Sequence, residues 1–475
     1  MVLKTIVNWY KENIIFVSVL GLLFLFQLIY VSNATINVPV MDYWRYINNY
    51  VDKCFMGGVT FNELYESFAG HKSVLTTMLF VINVIFFKLN VRVSTFFATF
   101  IMIITAIIFY SLFILNTKEI CLNSKNKNYS DFIKQILGIL IIFPLFNLNQ
   151  WEILVLEFAT PFTIRVLVTI ITFLFTDKLM FCSFYGYKSL FSYIVYLILA
   201  VNLIFAGYSF SVNGSVIAIV FVNMITKRKN ADYKLSVSVL CASVFSMFLY
   251  LNGNTVSAVS GLNVSIKQLM LNFPQVFFVL LGSSVLHENL VNEYNETKTY
   301  YIIGSVLLFI YIFSIIIYLK KKYFNITYMP IMLICYTFCN MGCIYISRFR
   351  EFGLKGMTSS RYVVDTTLGL IGVIWIFAIA VMDYSKDSEK RNISSACLYT
   401  FPVIIIAIGI SLTNLKEQEI SIYRCSYFRD LITKMINIDT LPDEELKQFQ
   451  ANSTEMVRKG VDIMKKYRLG VFNNL

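Results

Sequence analysis

Charge is what this chain has least of. Only 14% of its 475 residues are Asp, Glu, Lys or Arg, where a soluble domain carries about 25%. That excludes an ordinary water-soluble globule. Histidine is almost absent, and two His residues cannot build a histidine metal site alone. The nine cysteines include no Cys-x-x-Cys pair. Cys335, Cys339 and Cys343 fall on one helical face and read as small apolar packing residues, not as metal ligands. A P-loop and a phosphate-binding Gly-x-Gly-x-x-Gly are both missing, so cytosolic nucleotide chemistry is not expected. The apolar runs do not alternate with polar residues, which excludes the strands of a membrane barrel.

What is abundant is apolar. Hydrophobic residues make up 57% of the chain, with 43 Phe and 30 Tyr. Runs of about 18 apolar residues or more read as membrane-spanning helices, and they recur from Ile14 to Thr413. The expected fold class is an all-α polytopic membrane protein. The formal net charge of +12 would suggest nucleic acid in a soluble protein. Here the cations collect in short loops between spans, where they set topology, and no nucleic-acid partner is expected.

Lys and Arg placement predicts the layout. Eleven spans are expected, at 14–31, 92–115, 133–148, 156–176, 189–207, 214–226, 235–251, 300–319, 328–346, 363–382 and 396–413. The first is read as an uncleaved span, because its apolar run is longer than a signal-peptide core. Inside loops carry Lys118, Lys125 and Lys127, then Lys227-Arg228-Lys229, then Lys320-Lys321-Lys322, then Lys386–Arg391. The transmembrane domain is expected over 1–413. Its outer loops are 33–91, with an interfacial helix at 73–89, then 252–299, with 273–286 dipping into the interface, and 347–362. A polar helical tail, 414–475, is expected outside.

This layout gathers the remaining polar residues on the outer face. Asp42, in Met41-Asp42-Tyr43-Trp44-Arg45, reads either as a general base with a pKa raised by the nearby membrane or as a cap of the helix that follows. Gly70-His71-Lys72-Ser73 ends the same loop, and His71 and Lys72 suit either a phosphate or sugar hydroxyl or an interfacial anchor. Asn149-Gln150-Trp151-Glu152 follows the third span. Trp151 suits sugar stacking as well as an interfacial aromatic belt. Glu157 and Arg165 fall within an apolar run, where a charge marks function or a structural ion pair; their spacing of eight predicts one shared helix face. Arg348, Arg350 and Arg361 share one outer loop with Glu351 and Tyr362. They suit a phosphate leaving group or lipid headgroups.

The order of these pieces resembles the GT-C superfamily of membrane glycosyltransferases, such as the protein O-mannosyltransferases and lipid A aminoarabinose transferases. These take sugars from polyprenyl phosphate. Their acidic residue just after span 1 is matched by Asp42, and the basic motif before an interfacial helix by Gly70-His71-Lys72-Ser73. An uncharacterised bacterial branch is more similar still. It carries Asp-x-Trp, a Glu-His-Arg-like motif, Gln-Trp-Glu-Asn, Ser-Arg-Tyr and a tail closing on Phe. Here stand Asp42-Tyr43-Trp44, Gly70-His71-Lys72, Gln150-Trp151-Glu152, Ser360-Arg361-Tyr362 and Leu469-Gly470-Val471-Phe472. Gly70, Lys72 and Ile153 depart from the pattern.

The resemblance implies an inverting glycosyltransferase in the cell membrane, with its active site on the extracytoplasmic side. The donor is a polyprenyl-phosphate-linked sugar and the acceptor a cell-surface glycan or lipid-linked molecule. Asp42 and Glu152 are the expected catalytic carboxylates. His71, Lys72, Arg348, Arg350, Arg361, Tyr362, Trp44 and Trp151 are expected to bind the donor's phosphate and sugar. No cofactor is required, and a divalent cation bridging Asp42 and Glu152 is the alternative to none. The competing readings are a flippase or transporter and a polymerase for lipid-linked saccharides. Against transport, no pair of Gly- or Pro-broken spans occupies matching positions.

Overall fold

The structure, a computed structural model, describes residues 9, 11–68, 71–122, 127–181, 187–226, 232–252, 266–291, 296–386, 393–450 and 453–474. Gly70, Lys125, the basic run 227–229, segments 253–265 and 292–295 of the loop 252–299, and the cations beyond Lys386 lie outside the described residues.

Helix α1 (Ile14–Ala34) is apolar on every side, as a lipid-embedded helix is. The first loop then folds as α2 (Tyr43–Met56), α3 (Phe61–Tyr65), strands β1 (Ser67–Phe68) and β2 (His71–Lys72), and α4 (Val74–Phe87). A capping box starts α3: the Glu63 carboxylate accepts from the Thr60 N–H at 2.8 Å, and the Glu63 N–H donates to Thr60 Oγ1. The strands form a single antiparallel pair, with Phe68 opposite His71. Helices α5 (Val91–Leu122) and α6 (Lys127–Ile142) follow.

Pro144 ends α6, because it offers no N–H to continue the helix. Two 3-10 turns, Phe143–Phe146 and Leu148–Gln150, lead into the five-residue α7 (Trp151–Val155). Helices α8 (Ala159–Phe181), α9 (Tyr187–Leu203), α10 (Ser209–Thr226), α11 (Tyr233–Leu251), α12 (Ile266–Ser283) and α13 (Glu296–Lys320) come next. The chain closes with α14 (Met329–Phe352), α15 (Val363–Lys386), α16 (Ile393–Ile436), α17 (Asp443–Leu446) and α18 (Thr454–Tyr467).

Ten of these segments are long and apolar enough to cross a membrane, among the described residues. The chain is therefore a helical multi-pass membrane protein. The expected span at 189–207 is instead the 17-residue α9, one of three shorter apolar helices with α4 and α12. It stops early because the chain turns through Ala206, held at φ +48°. Helix α12 begins at Ile266, earlier than expected, and lies along α13. Gly282 faces the Tyr300 backbone and Gly304 the Phe278 backbone, so small residues let the two helices touch closely.

Two apolar cores result. The larger fills the bundle around α15, whose most apolar stretch is wholly buried. Trp375 of α15 meets Phe109 and Phe113 of α5 edge to face. The smaller core sits at one end. It joins Trp44 and Ile47 of α2 and Phe80 of α4 to Leu431 of α16 and Val457 and Val461 of α18. Helix α16 runs 44 residues from the first core into the second. Position 413, the expected end of the membrane domain, lies inside it without a break.

Candidate functional site

A cavity of about 270 Å³ opens between the two cores, near one end of α8, α10, α14 and α15. Its wall takes Asp42 and Tyr46 from α2 and its approach, His71 and Ser73 from the hairpin, and Glu152 from α7. Arg165 comes from α8, Tyr208 from the turn before α10, Arg348 from α14, and Arg361 and Tyr362 from the start of α15. Residues scattered through the whole chain thus meet in one place. A larger recess of about 400 Å³ between α6, α15 and α16 is apolar, with Tyr399 its one titratable group.

Asp42 occupies the position before α2, yet its carboxylate makes no cap bond. The capping reading therefore does not describe it. The side chain is half-exposed and lies 3.4 Å from Arg45 Nε. Beside it, the Tyr46 hydroxyl donates to Ser73 Oγ at 3.1 Å, and burial pushes that phenol up to about 12 despite the bond.

Glu152 shows two distant motifs meeting. Its carboxylate lies 3.2 Å from Arg361 Nε and accepts from the Ser359 hydroxyl at 3.3 Å. Its N–H donates to Ser360 Oγ at 3.2 Å. The broken helix that presents it is pinned from behind: Asn147 Nδ2 donates to the Ser284 carbonyl at 2.8 Å, and Gln150 Nε2 to the Leu145 carbonyl at 2.7 Å.

His71 and Lys72 part company. Neighbours on a strand point to opposite faces, and only His71 faces the cavity. Its approach needs Gly207, where a Cβ would come within 3.2 Å of the ring. The side chain stays solvent-exposed at the cavity, and partial desolvation there, with Arg348 and Arg165 nearby, holds the imidazole below its usual range. Lys72 is buried on the other side. It donates to the Leu249 and Asn252 carbonyls at 3.1 and 2.7 Å and to Tyr65 Oη at 3.2 Å. It caps the C-terminal end of α11, where a cation is favoured.

Both expected tryptophans also stand apart from the cavity. Trp44 is fully buried against the C-terminal segment, with Phe449 edge-on at 6.0 Å. Trp151 lies under the Arg424 guanidinium, 3.7 Å from its ring centre. Arg424 in turn holds the buried Glu417, which also binds His287 Nε2 at 2.9 Å. Arg348 lines the cavity and pairs with Glu351 at 3.1 Å. The Arg350 side chain lies outside the described residues.

Glu157 and Arg165 do not share a helix face. Helix α8 begins only at Ala159, so Glu157 belongs to the turn before it. Its carboxylate accepts the Val40 N–H at 3.4 Å, and the second oxygen has no hydrogen-bond partner among the described residues. Burial pushes this carboxyl up to about 8, and the nearby Asp42 adds to the shift. Arg165 faces the cavity. Its contacts are Thr76 Oγ1 at 3.4 Å and the rings of Phe162 and Tyr208, at 4.3 and 5.3 Å. It forms no ion pair among the described residues, unlike Arg361 and Arg348.

Sequence reasoning overlooks Asn340, which lines the cavity, and Asp365, buried behind it. Asn340 accepts from Ser211 Oγ at 2.9 Å, and beside it the buried Asp365 accepts from the Tyr336 hydroxyl at 2.8 Å. An acid at the third residue of a span was a signal available for Asp365. Among the described residues, no three His, Cys, Asp or Glu side chains cluster closely enough to hold a metal ion.

Comparison with known protein families, with characterised proteins and with solved structures finds no match to this chain.

Proposed function

We propose that the chain is an inverting glycosyltransferase that takes a sugar from a polyprenyl-phosphate donor and passes it to a cell-surface glycan or related acceptor. One observation carries this reading: a half-exposed carboxylate, Asp42, shares a cavity with three guanidinium groups, one of them without an ion-pair partner among the described residues, at the end of an apolar bundle. A lipid-linked phosphate presents its charge at that depth, and guanidinium is the group that neutralises it. The distribution of Lys and Arg supports an extracytoplasmic placement of this end in the cell membrane.

Asp42 takes the proton of the acceptor hydroxyl as its oxygen attacks the anomeric carbon. The bond from that carbon to the phosphate oxygen breaks, and the lipid phosphate leaves with the electron pair. The single displacement inverts the anomeric centre through an oxocarbenium-like state. Arg165, Arg348 and Arg361 hold the charge that develops on the leaving phosphate. Glu152, fixed by Arg361 and Ser359, orients sugar hydroxyls. The His71 imidazole offers the phosphate or sugar a hydrogen bond.

The test is transfer by the purified protein in nanodiscs from a panel of radiolabelled polyprenyl-phosphate sugars. Asp42→Asn is expected to lower the rate by about 10³ with donor binding retained, the range for removal of a general base. Transfer that survives in the variant removes Asp42 from the mechanism. Movement of intact lipid-linked sugar between leaflets without transfer replaces the enzyme with a flippase. A chelator is expected to leave the wild-type rate unchanged.

A further inference from the structure

We propose that the C-terminal segment, described over 441–450 and 453–474, is a strap that sets the conformation of Asp42, with Phe449 and Gly460 as positioning residues for the site. The inference rests on the transferase reading for its chemical consequence and on geometry for the rest.

Asp42 follows a residue in an unusual state. Met41 has φ +53°, the left-handed region that a residue with a side chain adopts only when its surroundings hold it there. What holds Met41 is the strap: its N–H donates to the Phe449 carbonyl oxygen at 2.7 Å. The residue that aims Asp42 is thus fixed by a contact from the far end of the chain.

The helix that Asp42 precedes is clamped as well. Trp44, the second residue of α2, packs on α18 at Gly460. A Cβ there would stand 2.7 Å from Trp44 Cε3 and 3.1 Å from Asn48 Nδ2. Asn48 Nδ2 donates to the Met456 carbonyl at 2.9 Å. At the end of α2, the Tyr467 hydroxyl and Lys466 Nζ bind Asp52 at 2.8 and 3.0 Å, and Phe55 stacks on Tyr467 at 4.4 Å. The strap then reaches the other end of the first loop, where the Gly470 N–H donates to the Lys88 carbonyl at 2.7 Å. It is also stiffened internally: Arg458 binds the Ile438 and Leu441 carbonyls and Asp443 at 2.7–2.9 Å. A segment that merely covered the surface would need no bond to the backbone beside a reacting carboxylate.

The test pairs hydrogen exchange with kinetics, on the full chain in nanodiscs. Gly460→Ala forces Trp44 off the strap. The Met41 amide is expected to exchange at least about tenfold faster, and the transfer kcat to fall by up to about a hundredfold with the donor KM unchanged, since displacing a reacting group by about 1 Å has effects of this size. Trp44→Phe in the Gly460→Ala background makes room for the methyl group and is expected to recover both readouts. Asn48→Ala, which adds no bulk, is expected to shift both in the same direction by a smaller factor. An unchanged Met41 exchange rate in Gly460→Ala and Asn48→Ala overturns the strap, and so does faster exchange with an unchanged kcat. Absence of transfer by wild type from every donor overturns the transferase reading alone, and the exchange rates of the variants still decide the strap.

Discussion

The bundle and the end module are held by different means. The bundle around α15 is held chiefly by apolar packing and small-residue contacts, with buried bonds such as Tyr336 to Asp365 set among them: edge-on rings at Trp375, glycines between α12 and α13. The end module has an apolar core of its own, but directed bonds fix its geometry. Phe449 holds Met41, Arg424 stacks on Trp151, Ser359 and Arg361 grip Glu152. Packing is distributed, so its loss is graded. A directed bond to a buried partner is all or nothing, because the partner left behind is unsatisfied. The candidate site lies on the seam between the two regions, and its residues divide accordingly.

Three substitutions break or sharpen that contrast. The largest effect is expected in the seam. Arg165→Met should lower kcat/KM for the donor about a hundredfold, as loss of one charge-stabilising group does, with the thermal midpoint unchanged. A full-rate variant would place the anion elsewhere. Next is Glu157→Gln. The folded carboxyl titrates near 8, while in the unfolded chain it titrates in the ordinary carboxylate range. The folded state therefore holds the proton more tightly, and its stabilising contribution, complete at low pH, is lost as pH rises through 8. The wild-type midpoint is expected to fall by roughly 2 °C or more between pH 5 and pH 8, and Glu157→Gln to remove that slope. An identical slope in the variant assigns it to another group. The smallest effect is expected in the bundle. Ile371→Val removes one methylene from a fully buried position and should cost about 1 kcal/mol of stability while leaving kcat and KM alone. A kinetic change there would show that the bundle core and the site are not separable.

The same contrast decides how much was legible in the sequence. Spans are local statements: eleven apolar runs were expected, ten helices of spanning length are found among the described residues, and α9 is one of the shorter apolar helices, ending before the turn at Ala206. Six of the ten expected site residues line the cavity: Asp42, His71, Glu152, Arg348, Arg361 and Tyr362. Each sits near the end of an apolar helix, which sequence can locate. Lys72 fails because two-residue strands divide it from His71, and pairing that short leaves no periodic signal. Trp44 and Trp151 fail for another reason. Their partners, Gly460 and Arg424, lie in the tail, and nothing local in either motif points there. Which side of the membrane the site faces rests on charge distribution and stands as part of the proposal.

Helix α16 adds a consequence of scale. At about 1.5 Å per residue, its 44 residues make a rod of about 66 Å, roughly twice the hydrocarbon thickness of a bilayer. One half is sunk in the bundle and the other carries the segment that touches Met41. Such a rod is a ruler: it fixes how high above the lipid the strap is delivered, and at what angle. One inserted residue beyond the bundle would raise the strap by about 1.5 Å and swing it through about 100°. The length of α16 is therefore part of the address of Asp42.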